Sequence, residues 1–186
     1  MAEEKIIKVL YPTAIVDSGE APLIFLAGPI QGAPDWQEQA SDIIAVLDPE
    51  IVIANPRQPL ELADGLQGQD FYDQVDWETH YLRQAGKRGV IMFWLAKEAE
   101  HNCGRAYAQT SRFELGEWKE YHRRDSSIVV IGIEPGFTNE RYLRHRLGQD
   151  CPEIAIFNTL EQTCRLAVKS CQALAQVEKV LLEKSP

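Results

Sequence analysis

The sequence predicts an α/β protein, with helices on both faces of a mostly parallel sheet in one three-layer domain. Short, continuously apolar segments alternate along the chain with longer segments whose apolar residues recur at helical spacing. This alternation is typical of repeated strand–helix–strand units, whose strands are buried on both faces. The chain has 186 residues, 45% of them hydrophobic, which is enough for one core without metal or disulfide support.

The first third of the chain predicts strands and one helix from local signals. Residues 1–21 are expected to hold an edge strand or a hairpin, within the stretch KIIKVLYPTAIV. LIFLAG, at 23–28, is an apolar run ended by Gly-Pro, which indicates a buried strand and a turn. A helix is expected at 35–47, with Asp35 as its N-cap. IVIAN, at 51–55, predicts a second strand that the following proline closes.

The central part predicts two long loops around a third strand. Residues 57–73 are rich in Gly, Pro, Gln and Asp, and a loop of this length in a compact domain is usually functional or mobile. A helix at about 74–86 then leads into the apolar strand GVIMFWL at 89–95. A second loop at 96–109 precedes a helix at 110–123.

The last part predicts two more strands, each followed by a helix. SIVVIGIE, at 127–134, indicates a strand, and a short helix is expected near 138–147. A small strand at 153–157 precedes a long C-terminal helix at 159–183. Five strands in a single domain that spans residues 1–186 suit a flavodoxin-like order.

Composition and charge exclude several classes of function. The 28 acidic and 19 basic residues give a net charge of -9, which argues against a surface for polymeric nucleic acid. No apolar run approaches the roughly 20 residues of a membrane helix, and the N-terminus lacks the features of a signal peptide. The four cysteines show no metal-ligand spacing, so we expect thiols in a cytoplasmic protein, with no metal and no cofactor.

The first candidate for chemistry is the glycine-containing loop after the first apolar strand. In open parallel sheets ligands bind beyond the carboxyl ends of the strands, where this loop is expected. Its glycines allow the backbone to approach a ligand closely, although a tight strand-to-helix turn explains them equally simply. The spacing matches neither a Walker loop nor a dinucleotide fingerprint. The loop comprises Gly28, Pro29, Ile30, Gln31 and Gly32.

The second candidate is Glu114, near the start of the helix at 110–123. Ser111 and Glu114 have the spacing of a capping box, which is a purely structural explanation. Alternatively, Glu114 is a carboxylate at a helix N-terminus that faces the ligand crevice, as a nucleophile would. Gly116, placed in the first turn by this prediction, indicates space taken by a ligand or a packed backbone.

The third candidate is a group of acids at the start of the helix before GVIMFWL. Asp76 is most simply a solvated partner of the helix dipole, and Trp77 a core residue. Glu78 stands where its side chain can face the same crevice as Glu114. Two carboxylates around one sugar suit glycosyl transfer, in which one attacks the anomeric carbon and the other moves a proton.

Four motifs together resemble the nucleoside 2-deoxyribosyltransferase superfamily, and most closely a deoxyribosyltransferase-like branch of it. They are IFLAGPIQG, VDWETHYLRQAG, VIMFWL and SRFELGEW, in this order between about residues 22 and 135. The resemblance implies a flavodoxin-like fold, a homo-oligomer and a nucleoside or nucleotide as the small-molecule substrate. It also implies cleavage or exchange of the N-glycosidic bond.

The resemblance also implies roles for individual residues. Glu114 matches the nucleophilic glutamate, the loop from Gly28 to Gly32 matches the sugar or phosphate pocket, and Glu78 matches an acid that contacts the base. Asp76 and Trp77 flank that acid and are expected to bind substrate. The chain departs from the family at Ala108, where the transferases carry an aspartate, and at the insertion-like stretch before GVIMFWL.

Several alternatives remain open from the sequence. Arg112 is predicted either to bind a substrate phosphate or to pair with Glu117. The missing acid at Ala108 favours a non-catalytic nucleotide-binding or sensing module on the same fold. A flavin-binding protein is a further, minor alternative. The expected reaction is attack by Glu114 on the anomeric carbon, followed by release of the sugar to water or to a second base.

Overall fold

A computed structural model describes residues 8–12, 15, 21–58 and 71–183, and it confirms the α/β class. The strands form one parallel sheet, and they are β1 Val9–Leu10, β2 Leu23–Ala27, β3 Val52–Ala54, β4 Gly89–Leu95, β5 Ile128–Ile133 and β6 Ile156–Phe157. The helices are α1 Trp36–Leu47, α2 Phe71–Arg88, α3 Gln109–Asp125, α4 Glu140–Asp150 and α5 Leu160–Glu183. None of these described helices is long and apolar enough to cross a membrane.

The strand order is β1-β3-β2-β4-β5-β6. Without β1 this is the flavodoxin-like order, so the predicted architecture is confirmed, and the described sheet has six strands rather than five. The extra strand comes from the N-terminal stretch that sequence reasoning left between an edge strand and a hairpin. Val9 and Leu10 pair in parallel with Ile53 and Ala54 at one edge of the sheet. Most of the remaining residues 1–21, and residues 59–70 of the predicted 57–73 loop, lie outside the described residues.

The sheet has two covered faces, which we name by their helices. On the α1/α5 face, Trp36 and Ile44 of α1 and Cys164 and Cys171 of α5 pack against strand residues such as Met92. On the α2/α3 face, helices α2, α3 and α4 cover the alternate strand residues, which include Phe25, Ile91, Phe93 and Ile131. Successive strand residues point to opposite faces, so apolar runs such as GVIMFWL supply both cores.

Local signals explain most element boundaries. The Asp35 side chain accepts a hydrogen bond from the Glu38 N–H at 3.0 Å and caps α1, as predicted. Helix α2 begins at Phe71, three residues before its predicted start, and α4 ends at Asp150, beyond its predicted end. Strand β6 is shorter than predicted, because only Ile156 and Phe157 pair with β5.

Candidate active site

The candidate site lies at the carboxyl edge of the sheet, where the strand order reverses. The chain leaves β2 toward β3 on one side, and β4 lies on the other side of β2. Ligands of open parallel sheets bind at such a switch point. The loop after β2, the loop after β4 and the first turns of α2 and α3 meet this edge.

The loop from Gly28 to Gly32 has a backbone that requires glycine at both ends. Gly28 has φ +153°, and a Cβ there would lie 2.3 Å from the carbonyl oxygen of Trp94. Gly32 has φ +80°, and a Cβ there would lie 2.8 Å from the carbonyl oxygen of Glu100. Within the loop, the Pro29 carbonyl accepts a hydrogen bond from Nε1 of the buried Trp36 at 2.8 Å. Packing of the loop therefore explains these glycines in part, as expected for a tight strand-to-helix turn.

The loop after β4 holds the glycine loop from one side. The N–H groups of Ala99 and Glu100 donate to the Gly32 carbonyl at 2.8 and 3.1 Å. The Arg105 guanidinium donates to the side-chain oxygen of Gln31. Residues far apart in sequence thus fix the loop that sequence analysis proposed as the substrate pocket.

Arg57, which follows β3, holds the same loop from the other side. Its Nη2 donates to the carbonyl oxygens of Ile30 at 2.9 Å and Pro34 at 3.0 Å. Its Nε donates to Oε1 of the buried Gln37 at 2.9 Å. Sequence analysis did not identify Arg57, because these partners are twenty or more residues away along the chain.

Glu78 lies in the third turn of α2, on the side of the helix that faces the core. Its neighbours on the same helix, Trp77 and Tyr81, are 2% and 0% exposed. Gln74, one turn earlier, donates from Nε2 to Oε1 of Glu78 at 2.9 Å. Burial raises the pKa of Glu78, and the hydrogen bond from Gln74 opposes this rise.

Glu114 lies in the second turn of α3, and the capping-box interpretation of Ser111 and Glu114 is wrong. The helix begins at Gln109, after Ala108 in the left-handed region at φ 55°, and no side chain caps it. Ser111 is therefore already helical and is buried, so it is not an N-cap. The Glu114 side chain is free of the structural role that its spacing suggested.

The negative charge of Glu78 acts on Glu114. Burial, together with the smaller effects of the negative charges of Glu78 and Glu117, raises the pKa of Glu114 to about 8. Among the described residues, no basic side chain forms an ion pair with either glutamate. With a pKa of about 8, Glu114 is mostly protonated at neutral pH.

The position of Gly116 also differs from the sequence prediction. It is the eighth residue of α3, not part of the first turn, because the helix begins at Gln109. A Cβ at Gly116 would meet nothing within 4 Å, so no packed backbone of the described residues explains this glycine.

The other predicted substrate-binding residues of α2 are Asp76, which lies at the surface, and Trp77, which lies in the core. Asp76 is exposed, and residues two apart on a helix do not share a face, so it points away from the Glu78 side. Trp77 is in the core, with ring centroids 4.6 Å from Tyr81 and 6.3 Å from Phe25.

Arg112 contacts the loop after β5. Its Nη2 donates to the Thr138 carbonyl at 2.8 Å, and its guanidinium carbon lies 4.7 Å from the centroid of the Phe137 ring. Partial burial lowers its pKa. In the described part of the chain these contacts, rather than an ion pair with Glu117, hold Arg112.

Tyr107 is a further residue at this edge, directly before Ala108. It is 9% exposed, and its hydroxyl donates to the Ala96 carbonyl at 2.7 Å. Its ring lies 5.9 Å from Phe137 between centroids. Burial, with the charges of Glu98 and Glu134, raises its pKa, so the phenol stays neutral.

Among the described residues, no cluster of His, Cys, Asp and Glu could hold a metal ion. The arrangement offers two coupled carboxylates and a glycine loop at one edge of the sheet. Two carboxyl groups suit nucleophilic attack on a sugar carbon by one of them and proton transfer to the leaving group by the other.

Comparison with known proteins identifies the family. No curated protein matches the chain significantly. Residues 21–137, more than half of the chain, match the family described as nucleoside 2-deoxyribosyltransferase like. This match covers the glycine loop, Glu78 and Glu114, and the chain is therefore a member of the nucleoside 2-deoxyribosyltransferase-like family.

Proposed function

We propose that this protein cleaves the N-glycosidic bond of a 2-deoxynucleoside or deoxynucleotide and transfers the sugar to water or to a second base. The observation that carries the proposal is the coupled pair Glu78 and Glu114, half-buried between α2 and α3 with no cation beside it among the described residues. The family membership supports a nucleoside as the substrate class.

In the proposed reaction, Glu114 attacks the anomeric carbon as a carboxylate. The bond between that carbon and the base nitrogen breaks through an oxocarbenium-like transition state, and a glycosyl–enzyme ester forms. The departing base takes up a proton, for which the protonated partner of the pair is the source. Water or a second base then gives a proton to the Glu78 carboxylate and attacks the same carbon, the ester bond breaks, and Glu114 leaves as a carboxylate.

The mechanism requires Glu114 to be deprotonated when it attacks. Since the pKa of Glu114 is about 8, most of the free protein carries the proton on Glu114 at neutral pH. The attacking form therefore requires that the proton leave Glu114. Glu78, whose charge acts on Glu114, is the proposed acceptor of this proton.

A non-catalytic nucleotide-binding module is the second candidate, and one observation favours it. The position six residues before Glu114 is Ala108, a helix N-cap with no side-chain hydrogen bond, where the transferases carry an aspartate. A site without that acid could bind the ligand and leave the bond intact.

The test is chromatographic analysis of purified protein with a panel of deoxynucleosides and deoxynucleotides, each with and without a second free base. Glu114→Gln should reduce base release at least about 10³-fold, as loss of a nucleophile does. Glu117→Gln is the matched control, because this exposed glutamate lies on the same helix, and it should retain activity.

Each outcome separates the candidates. A new nucleoside formed only with the second base identifies a transferase, and free base alone identifies a hydrolase. No turnover together with calorimetric binding would favour the binding module. Full activity of Glu114→Gln would refute the proposed nucleophile. The same purified protein would test the predicted homo-oligomer by light scattering.

A further inference from the structure

Arg57 follows β3, and its side chain contacts the glycine loop and the turn that leads from this loop into α1. Its Nη2 donates to three carbonyl oxygens, those of Ile30 at 2.9 Å, Ala33 at 3.4 Å and Pro34 at 3.0 Å. Its Nε donates to Oε1 of the buried Gln37 at 2.9 Å. One guanidinium therefore ties the loop to the first turn of α1.

The hydrogen bonds of the glycine loop are distributed unevenly between its acceptors and its donors. Arg57 donates to the Ile30 carbonyl, and two N–H groups of the loop after β4 donate to the Gly32 carbonyl. In contrast, the N–H groups of Ile30, Gln31 and Gly32 donate to no group in the part of the chain that the structure describes. Since a backbone N–H that the protein leaves unused can bind an outside acceptor, the loop offers mainly donors to a ligand.

We infer that Arg57 is a positioning residue that holds the glycine loop in the conformation that binds substrate. By binding the loop carbonyls it withholds them from the ligand, and it leaves the unused N–H groups for oxygen acceptors on the sugar or on its phosphate. The inference rests on the proposed function, because it assigns the loop of that same site to the substrate.

The contacts require a guanidinium rather than a positive charge alone. Nε and Nη2 are separate donors of one planar group, so the side chain reaches Gln37 and the loop carbonyls at once. Lys has a single nitrogen and would keep the charge while losing one of these attachments. Arg57 is also fixed through its own backbone N–H, which donates to Oδ1 of the buried Asn55 at 2.9 Å.

The experiment compares Arg57→Lys with the wild type in the base-release assay, with deoxynucleosides and their 5′-monophosphates as substrates. Because the loop binds the ground state and the transition state alike, KM should rise about tenfold and kcat should change less than about twofold. Loss of a catalytic group would instead lower kcat. A larger rise for the monophosphates would assign the loop to the phosphate, and an equal rise would assign it to the sugar.

Chemical rescue separates positioning from a general loss of structure. Arg57→Ala should raise KM as Arg57→Lys does, and a guanidinium salt far below its denaturing concentration should restore part of the affinity. Sodium chloride at equal ionic strength should not. Arg144→Lys is the matched control, because the half-buried Arg144 also binds a carbonyl and a side-chain amide oxygen, those of Ile133 and Asn158, at 2.7 Å each. It should leave KM unchanged.

A readout without turnover keeps this inference distinct from the proposed function. In amide NMR spectra of nitrogen-15-labelled protein, members of the same panel should shift the Gln31 and Gly32 resonances. Arg57→Lys should need about ten times more ligand for the same shift. This result without any turnover would sustain the role of Arg57 and refute the enzyme.

Other results would overturn the inference and leave the proposed function standing. Turnover with the same KM in Arg57→Lys and the wild type would do so, as would an equal rise of KM in Arg144→Lys. Turnover of a substrate that shifts neither the Gln31 nor the Gly32 resonance would also do so. A protein that neither bound nor cleaved any member of the panel would refute both.

Discussion

The α2/α3 face and the α1/α5 face use alternate residues of the same strands, yet they bury different chemistry. The α1/α5 face encloses aliphatic side chains, Trp36, Trp94 and the thiols of Cys164 and Cys171. Burial raises the pKa of Cys164 to about 12, so this thiol stays neutral. The α2/α3 face includes two half-buried glutamates, one of which titrates near neutrality.

This difference shows which face of the sheet contains groups that destabilise the folded protein. A buried carboxyl without a cation destabilises the charged folded state, and natural proteins accept that cost mostly at functional sites. The α1/α5 face contributes stability that is independent of pH, whereas the α2/α3 face makes stability depend on the charge of Glu78 and Glu114. The following predictions test this contrast, in order of decreasing effect.

The largest effect on stability is expected from Glu114→Gln. The pKa of Glu114 is about 8 in the folded protein, above its ordinary value of 4.5. The folded protein therefore keeps a proton that the unfolded chain gives up, and stability is lost as pH rises from 4.5 through 8. The uncharged, isosteric glutamine removes this loss, so the variant should exceed the wild type at about pH 9 by on the order of 3 kcal/mol.

Urea denaturation followed by circular dichroism, at about pH 4 and about pH 9, measures this difference. Glu117→Gln is the control and should leave most of the wild-type pH dependence in place, because Glu117 is exposed and is the smallest of the causes that act on Glu114. A Glu114→Gln variant that loses stability with pH as the wild type does would show that this carboxyl is not the source.

A smaller effect is expected from a pair of glycines on the α2/α3 face. A Cβ at Gly86 of α2 would lie 2.3 Å from the Trp118 ring of α3, so Gly86→Ala should destabilise by about 1–3 kcal/mol. Gly116→Ala is the matched substitution on α3, where a Cβ has open space, and it should stabilise by up to about 1 kcal/mol. Thermal unfolding of both variants measures the effects, and equal signs would contradict the packing described.

The smallest effect is expected on the α1/α5 face. Cys164→Ala removes one buried sulfur atom and should cost about 1 kcal/mol. The loss should be the same at about pH 5 and about pH 7, because the thiol is neutral at both in the folded protein and in the unfolded chain. If urea denaturation showed that this loss of unfolding free energy grows with pH, the stability contributed by the α1/α5 face would depend on pH as that of the α2/α3 face does.

The fold was largely predictable, because parallel strands buried on both faces are apolar throughout. GVIMFWL was predicted as residues 89–95 and observed over Gly89–Leu95. The Asp35 cap was predictable for a similar reason, since the signal and its partner are three residues apart. The start of α3 was not, because Ala108 in a left-handed conformation carries no capping signal, and this misplaced Ser111 and Gly116.

The site was predictable only where a residue and its partners are close in sequence or match a family motif. Glu78 and Glu114 were named from the sequence, and their coupling depends on how α2 and α3 pack. Arg57 could not be found, because its contacts with Ile30 and Pro34 are long-range. Gln74 stands one turn before Glu78, and that spacing was a signal that sequence analysis could have used.

The hydrogen bond between Trp36 and Pro29 gives the protein an intrinsic optical reporter. The indole is buried at the start of α1, and its N–H is held by the backbone of the glycine loop. Indole emission depends on the polarity and hydrogen bonding around the ring, so any displacement of that loop is converted into a change of colour or intensity. A ligand that displaced this loop is therefore expected to change the emission of Trp36 over the background of Trp77, Trp94 and Trp118, without a label and without turnover.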